Sequence, residues 1–284
     1  MAQVKKYHHS VQLPKCYKDI VISNASYQDG IIYVATTASK NPILKLKTIE
    51  SKDNCSEKNL ECVHGFSKTK IKFIGFIKGK LAIIPKHKWS IVVKNDCDYK
   101  KVTICSRSNL RRKIITAILD KHPTKCNCES CYKLIGFVSY HGLNIFVQLL
   151  CKHNPVQKML YIIKGDLDMS TLELSHIEVS NEYNYYNLSL DQGMKECDAQ
   201  SQLFTSLYYA DNKVYLLSTS DGIGYVWEMQ YFPNIAYLGS PVLVTKLKKC
   251  PNSIFAVNTI GTKSKLISIT NTEACSLQYY SLDY

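Results

Sequence analysis

The chain has 284 residues, 45% hydrophobic and 21% charged, a composition that suits a soluble, globular protein with a buried core. No window approaches the roughly 18 apolar residues that cross a bilayer, and the start, MAQVKKYHHSVQLPKCYKD, has no apolar run after its lysines. These features exclude a visible membrane span or signal peptide, so the expected location is intracellular, or secreted if a signal has been removed. The net charge of +13 is unevenly spread: residues 1 to 125 hold 25 Lys or Arg against 9 Asp or Glu, a net of +16, while residues 126 to 284 hold 11 against 14, a net of −3. A basic first half attracts an acidic protein surface, anionic glycan, nucleic acid or acidic lipid, although lysines also serve simply as a solvated surface.

Residues 1–18 are polar and basic and read as an arm or a closing strand. Val21 to Ile49 gives a strand, a Gln-Asp-Gly turn, the strand GIIYVATT, a loop ending in Asn41-Pro42, and ILKLKTI, whose alternation turns Lys45 and Lys47 to solvent. A polar connector with Cys55 and Cys62 precedes KIKFIGFI, a Lys-Gly-Lys turn, KLAIIP, WSIVVKND and CDYKKVTICS, all strand-like. Residues 108–121 are the persuasive helix. Leu110, Ile114, Ile115, Ile118 and Leu119 share one face, Ser108 is placed to cap the start, and His122-Pro123 ends it; their branched side chains leave a strand as the alternative.

Strands resume as KLIGFVSYHGLNIFVQLL, with His141-Gly142 as the turn, then KMLYIIKGDL and TLELSHIEV. Residues 180–202, polar and rich in Tyr and Asn, are expected to form a long surface connection. The clearest stretch is Leu203 to Met229, LFTSLYYADNKVYLLSTSDGIGYVWEM: three strands joined by turns at Asp211-Asn212 and Asp221-Gly222, pairs that tolerate positive φ. NIAYLGSPVLVTKL, SIFAVNTIG, KLISIT and a tail LQYYSLDY follow. Strand-pair cores thus recur near residues 31, 73, 135, 206 and 255, a spacing found in propeller blades and similar arrays.

Within that meander, TSDGIGYVWEM resembles the end of a WD40 repeat, with Ser220, Asp221, Gly222, Trp227 and Glu228 in the matching positions. GIIYVATTASKNPILKL similarly resembles the inner strands of kelch or semaphorin-type blades. Both resemblances imply a β-propeller that binds other proteins.

Cys126, Cys128 and Cys131, with Cys151 and His153 some twenty residues on, offer the soft ligands of a tetrahedral structural zinc site. Disulfide staples or idle thiols are the alternatives, and the twelve cysteines suit disulfides if the chain is exported. Cys105 and Cys151 sit in strand contexts that suit buried, reduced thiols, and the sequons at Asn24, Asn54 and Asn187 do not favour secretion. Asp166 with Asp168, and Asp96 with Asp98, could bind a divalent cation but mostly read as turn residues. His8, His9, His64, His87, His141 and His176 lack an attending nucleophile motif.

The reading is an all-β propeller of about five or six blades, one domain over residues 1–284, with one short helical insertion near residues 108–121. It is expected to be non-enzymatic and to need no cofactor beyond a possible structural zinc. A protein partner would bind its loop face, with basic residues clamping an acidic surface: Lys68, Lys70, Lys72, Lys78, Lys80, Lys86, Lys88 and Trp89, together with Arg111, Arg112 and Lys113. Two rivals stand beside it: a secreted, disulfide-stapled receptor or glycan-binding propeller, and a metal-dependent hydrolase using funnel carboxylates.

Overall fold

Two-residue turns between alternating strands dictate the architecture. In the computed structural model, which describes residues 10–12, 22–38, 42–47, 60–63, 66, 69–86, 88–94, 101–104, 107–151, 154, 156–171, 173–235, 237–247, 253–257, 265–271 and 276–282, both residues take positive φ at each of five hairpin turns. These are Asp29-Gly30, Lys78-Gly79, His141-Gly142, Asp211-Asn212 and Asp221-Gly222. Such turns match the right-handed twist of the strands they join, so consecutive strands fold back as antiparallel neighbours.

The described strands form five antiparallel sheets. β1 (Ser10–Gln12) belongs to the last of them. The first sheet is a meander of β2 (Ile22–Gln28), β3 (Ile31–Thr36), β4 (Ile43–Lys47) and β5 (Leu60–Cys62). The second is β6 (Ile71–Ile77), β7 (Lys80–Pro85), β8 (Ile91–Lys94) and β9 (Lys101–Ile104). After helix α1 (Arg107–Lys121), the third runs through β10 (Tyr132–Ser139), β11 (Leu143–Leu150), β12 (Lys158–Leu167) and β13 (Leu174–Asn184). Two short helices, α2 (Tyr185–Asp191) and α3 (Glu196–Ser201), lead to β14 (Leu203–Ala210), β15 (Lys213–Ser220) and β16 (Ile223–Phe232), whose outer edge pairs with β17 (Tyr237–Leu238) and β18 (Val242–Leu247). β19 (Ser253–Val257), β20 (Lys265–Asn271) and β21 (Ser276–Leu282) complete the last sheet, and β1 joins it by pairing Ser10 with Gln278 antiparallel on β21.

The first strands of the sheets close into a ring: β2 packs on β6, β6 on β10, β10 on β14, β14 on β19, and β19 on β2. A closed ring of meanders is a β-propeller, with β2, β6, β10, β14 and β19 lining the axis. The five recurring strand pairs read from the sequence are the first two strands of these five sheets. In four of the axial strands the register slips at the same place, between Ile22 and Asn24, Ile71 and Phe73, Leu134 and Gly136, and Phe204 and Ser206. Each slip is a bulge that re-aims the next residue; of the four, Asn24 bonds Ser206 and Phe73 packs on Gly136.

The expected helix is present, and Leu110, Ile114, Ile115 and Ile118 are buried with Leu119 packed against the same core. It begins one residue earlier than Ser108, at Arg107. The expected surface connection over 180–202 is corrected: Tyr183, Tyr185 and Tyr186 are buried, and the segment forms the end of β13 and two helices. Several of the polar groups in and around it bond inside the fold. Gln148 Nε2 donates to Tyr185 Oη at 2.6 Å while Phe204 N donates to Gln148 Oε1 at 3.2 Å, which ties the third sheet to the fourth. Ser189 Oγ donates to Gln202 Oε1, and Gln202 Nε2 donates to Ser218 Oγ.

Trp227, the residue that carried the WD40 resemblance, is 1% exposed and donates from Nε1 to Ser218 Oγ at 2.8 Å. Glu228 pairs with Lys213 across the strands at 2.8 Å. Both residues therefore hold the fourth sheet together.

Candidate binding site on the propeller axis

The axis is closed at mid-height. Phe73 is buried and its ring meets Phe137 edge-on at 5.0 Å. Two glycines make room for that ring: a Cβ on Gly136 would lie 2.7 Å from Phe73 Cε2 and 2.9 Å from Leu207 Cδ2, and one on Gly75 would lie 3.0 Å from Phe73 Cε1. Beside this plug sits a polar contact across the ring. Asn24 is fully buried, donates from Nδ2 to Ser206 Oγ at 3.2 Å and accepts from Ile74 N at 3.1 Å. As a sequon Asn24 therefore has its amide committed inside the fold. Lys72 Nζ donates to Leu134 O, linking β6 to β10. Burial, with Lys133 nearby, lowers the Lys72 pKa from 10.5 to about 8.

Above the plug, the hairpin ends of β2, β6, β10 and β14 open into a recess of about 400 Å³. Phe73 forms its floor. Tyr27, Phe76, Tyr208 and Tyr209, all half-buried, form its walls, with Asp29 and Lys78 exposed among its lining residues. Tyr208 Oη donates to Tyr27 O at 2.7 Å, which fixes one aromatic wall across two sheets. Phe76 rests edge-on against Tyr33 at 5.0 Å. Lys78 Nζ reaches Leu167 O at 3.5 Å.

The aromatic wall continues outward. Tyr209 meets Tyr140 at 4.8 Å; Tyr140 meets Tyr231 at 5.1 Å and His141 at 4.6 Å. Burial first, then the neighbouring phenols, push Tyr209 and Tyr231 above the usual tyrosine range, and burial first, then Tyr27 and Asp211, does the same for Tyr208. All three remain neutral hydroxyls at ordinary pH. Such a surface offers flat apolar faces, phenolic hydroxyls, the Lys78 ammonium and the Asp29 carboxylate.

The predicted site residues do not form one patch. Lys78 lies in the β6–β7 turn at the recess and Lys80 directly follows that turn, whereas Lys70, Lys86 and Lys88 lie at the opposite end of the same strand pair, where Lys86 N donates to Lys70 O. The seven residues of β6 set these ends about 23 Å apart. Trp89 faces Arg111, whose guanidinium carbon lies 5.8 Å from the ring, and Arg111 also pairs with Glu129 at 3.3 Å. Arg112 and Lys113 stand on an open groove of about 540 Å³ between α1 and the start of β13, with Asp120 and His176 also lining it. Lys68 lies outside the described residues.

Cys126, Cys128, Cys131 and Cys151 come together beyond the end of α1, while His153 lies outside the described residues. Among the described residues no group of three or more His, Cys, Asp or Glu is arranged to hold a metal ion. Cys126, Cys128, Cys131, Cys151 and Cys197 carry free thiols. Asp168 is a turn residue whose Oδ1 accepts from Ser170 N at 2.7 Å and Ser170 Oγ at 2.6 Å; those bonds lower its pKa. Asp166 pairs with His176 at 3.3 Å, and neither Asp166 nor Asp168 lines the axial recess. Asp96, Asp98, His8, His9, His64, His87, Cys55, Cys105 and Asn54 lie outside the described residues. Sequence reasoning passed over Tyr27, Tyr140, Tyr208 and Tyr209. Each lies beside or close to a hairpin turn, which was the available signal, but only ring closure brings those turns to one place.

No protein-family model matches the chain, and no curated protein matches it. Among solved structures it is similar to one described as the Dos1 propeller, at 10% identity and a TM-score of 0.34 over 88% of this chain and 53% of that one. A luciferin-regenerating enzyme aligns at 9% identity and a TM-score of 0.41 over 97% of this chain and 95% of that one. PorZ, a bacterial surface component of the type-IX secretion system of Porphyromonas gingivalis, aligns at 9% identity and a TM-score of 0.30 over 93% of this chain and 27% of that one. The chain spans about half the length of the Dos1 propeller chain it matches. Among the described residues no helix is long and apolar enough to cross a membrane. The β-propeller fold rests on the strand pairing and on the closed ring of axial strands.

Proposed function

We propose that the chain, acting as one propeller domain over residues 1–284, is a non-enzymatic binding module that recognises a protein partner at the hairpin end of its axis. The observation that carries this reading is the blind aromatic recess: Tyr27, Phe76, Tyr208 and Tyr209 around a floor of Phe73, continuous with Tyr140 and His141. A partner side chain enters the recess and is desolvated there, as interface anchors are. An acidic neighbour on the partner lies against Lys78, and the basic first half of the chain steers the encounter.

The test uses peptides selected from a random display library against the full chain, with affinities measured by calorimetry at two salt concentrations. Tyr209→Ala is expected to weaken acidic, aromatic-containing peptides by about tenfold or more, and Lys78→Glu to weaken them and flatten their salt dependence. Arg112→Glu with Lys113→Glu, in the α1–β13 groove, is expected to leave affinity unchanged. Binding that survives both recess substitutions but is lost with the groove pair would sink the recess reading and move the site to α1.

A further inference from the structure

The cysteine cluster has a layout that the binding role does not use. Cys128 opens a single 3-10 turn, Glu129–Cys131, and Cys131 N donates to Cys128 O at 3.0 Å. A turn closed in this way holds the first and fourth Cα atoms within about 7 Å, which overlaps the window a disulfide requires. The two sulfurs are unequal in access, since Cys128 is exposed and Cys131 only 2% exposed. Their thiols are already in contact. Ser130 Oγ lies 3.1 Å from Cys128 Sγ, within hydrogen-bonding reach of that exposed sulfur.

Two further, half-buried thiols adjoin this pair. Cys126 contacts both Cys131 and Cys151. Cys151 follows directly on β11, whose Leu149 is paired with Tyr132, so the end of β11 is held against the start of β10. Tyr132 Oη donates to Cys126 O at 2.7 Å and fixes the intervening turn. The contacts link Cys128 with Cys131, Cys131 with Cys126 and Cys126 with Cys151, and Cys131 is the most buried of the four. Tetrahedral metal binding requires instead that the four sulfurs surround one point.

We infer that Cys128 and Cys131 form a redox-active dithiol that exchanges with low-molecular-weight disulfides, with Cys128 attacking and Cys131 resolving. The Cys128 thiolate attacks one sulfur of the disulfide RSSR, giving a Cys128–S–S–R mixed disulfide and releasing RS⁻. Cys131 then gives up its proton, and its thiolate attacks the Cys128 sulfur and displaces the second RS⁻. Two protein thiols are oxidised by two electrons, and RSSR is reduced to two RSH once the released protons are taken up. Burial shields Cys131 from the first attack, and exposure makes Cys128 the point of attack.

The test exposes the reduced full chain to glutathione disulfide, then alkylates it and maps the peptides by mass. The wild type is expected to lose two hydrogens in the peptide holding Cys128 and Cys131 and to keep no glutathione. Cys131→Ser is expected to trap glutathione on Cys128, and Cys128→Ser to leave Cys131 unreacted. Iodoacetamide labelling of the unmodified wild type supplies a readout free of substitutions. Cys128 is expected to react on the order of tenfold faster than Cys197, an exposed thiol outside the cluster. Labelling at the rate of Cys197, a lasting glutathione adduct on the wild type, or stoichiometric zinc that protects all four thiols until chelated would each overturn the proposal.

Discussion

Halfway along the propeller axis, β6, β10 and β14 meet as a sealed layer, with Phe73 wedged against Gly75, Gly136 and Leu207; at their hairpin ends the same strands part around a recess walled by Phe76, Tyr208 and Tyr209. The backbone is continuous between the two levels, so the difference lies in side-chain size and position. At the plug, glycines let one large ring cross the centre. At the mouth, large rings stand back along the wall and the centre stays empty. The plug should therefore respond to substitution as a core does, with large stability effects, and the mouth as an interface does, with small ones.

Phe73→Ala should separate the two levels most sharply. Removing a buried phenyl group is expected to cost about 3–5 kcal/mol, read from urea unfolding, and a loss below about 1 kcal/mol would mean that the layer is not close-packed. Gly136→Ala tests the same layer from the other side: its new methyl group must displace Phe73 or Leu207, and about 1–3 kcal/mol of destabilisation is expected.

The sealed region also carries a pH signature at Lys72. Its folded pKa, near 8, lies below the ordinary 10.5 because burial disfavours the ammonium. Below pH 8 both folded and unfolded chains hold the proton, so the folded state bears the full penalty. Between pH 8 and 10.5 the unfolded chain holds it more firmly, so this residue makes stability rise with pH. The stability difference between wild type and Lys72→Met, followed from pH 7 to pH 10 by urea unfolding, should shift toward the wild type; a flat difference would place the ammonium in water. Lys78→Glu, at the open mouth, should change stability by no more than about 0.5 kcal/mol while altering peptide binding. A large stability loss there would erase the distinction between the two levels.

Much of the fold was legible because it is local. Asp29-Gly30, Asp211-Asn212 and Asp221-Gly222 announce tight turns through their tolerance of positive φ, and the helix over 107–121 shows its apolar face at helical spacing. The segment over 180–202 misled because its tyrosines and amides look solvent-facing when read singly. Tyr185, Gln148, Gln202 and Ser218 bury their polar atoms by bonding one another, and those partners come from distant parts of the chain. The basic residues part in space for a related reason: Lys70 and Lys78, close in sequence, stand at opposite ends of the β6–β7 pair.

By itself the sequence determined the turns and the alternation, since each depends on residues within a few positions of one another. Tertiary structure decided which strand ends meet. The repeated bulges, the glycines that admit Phe73, the aromatic recess and the pairwise order of the four thiols all arise from contacts between segments far apart along the chain, which exist only once the ring of axial strands has closed.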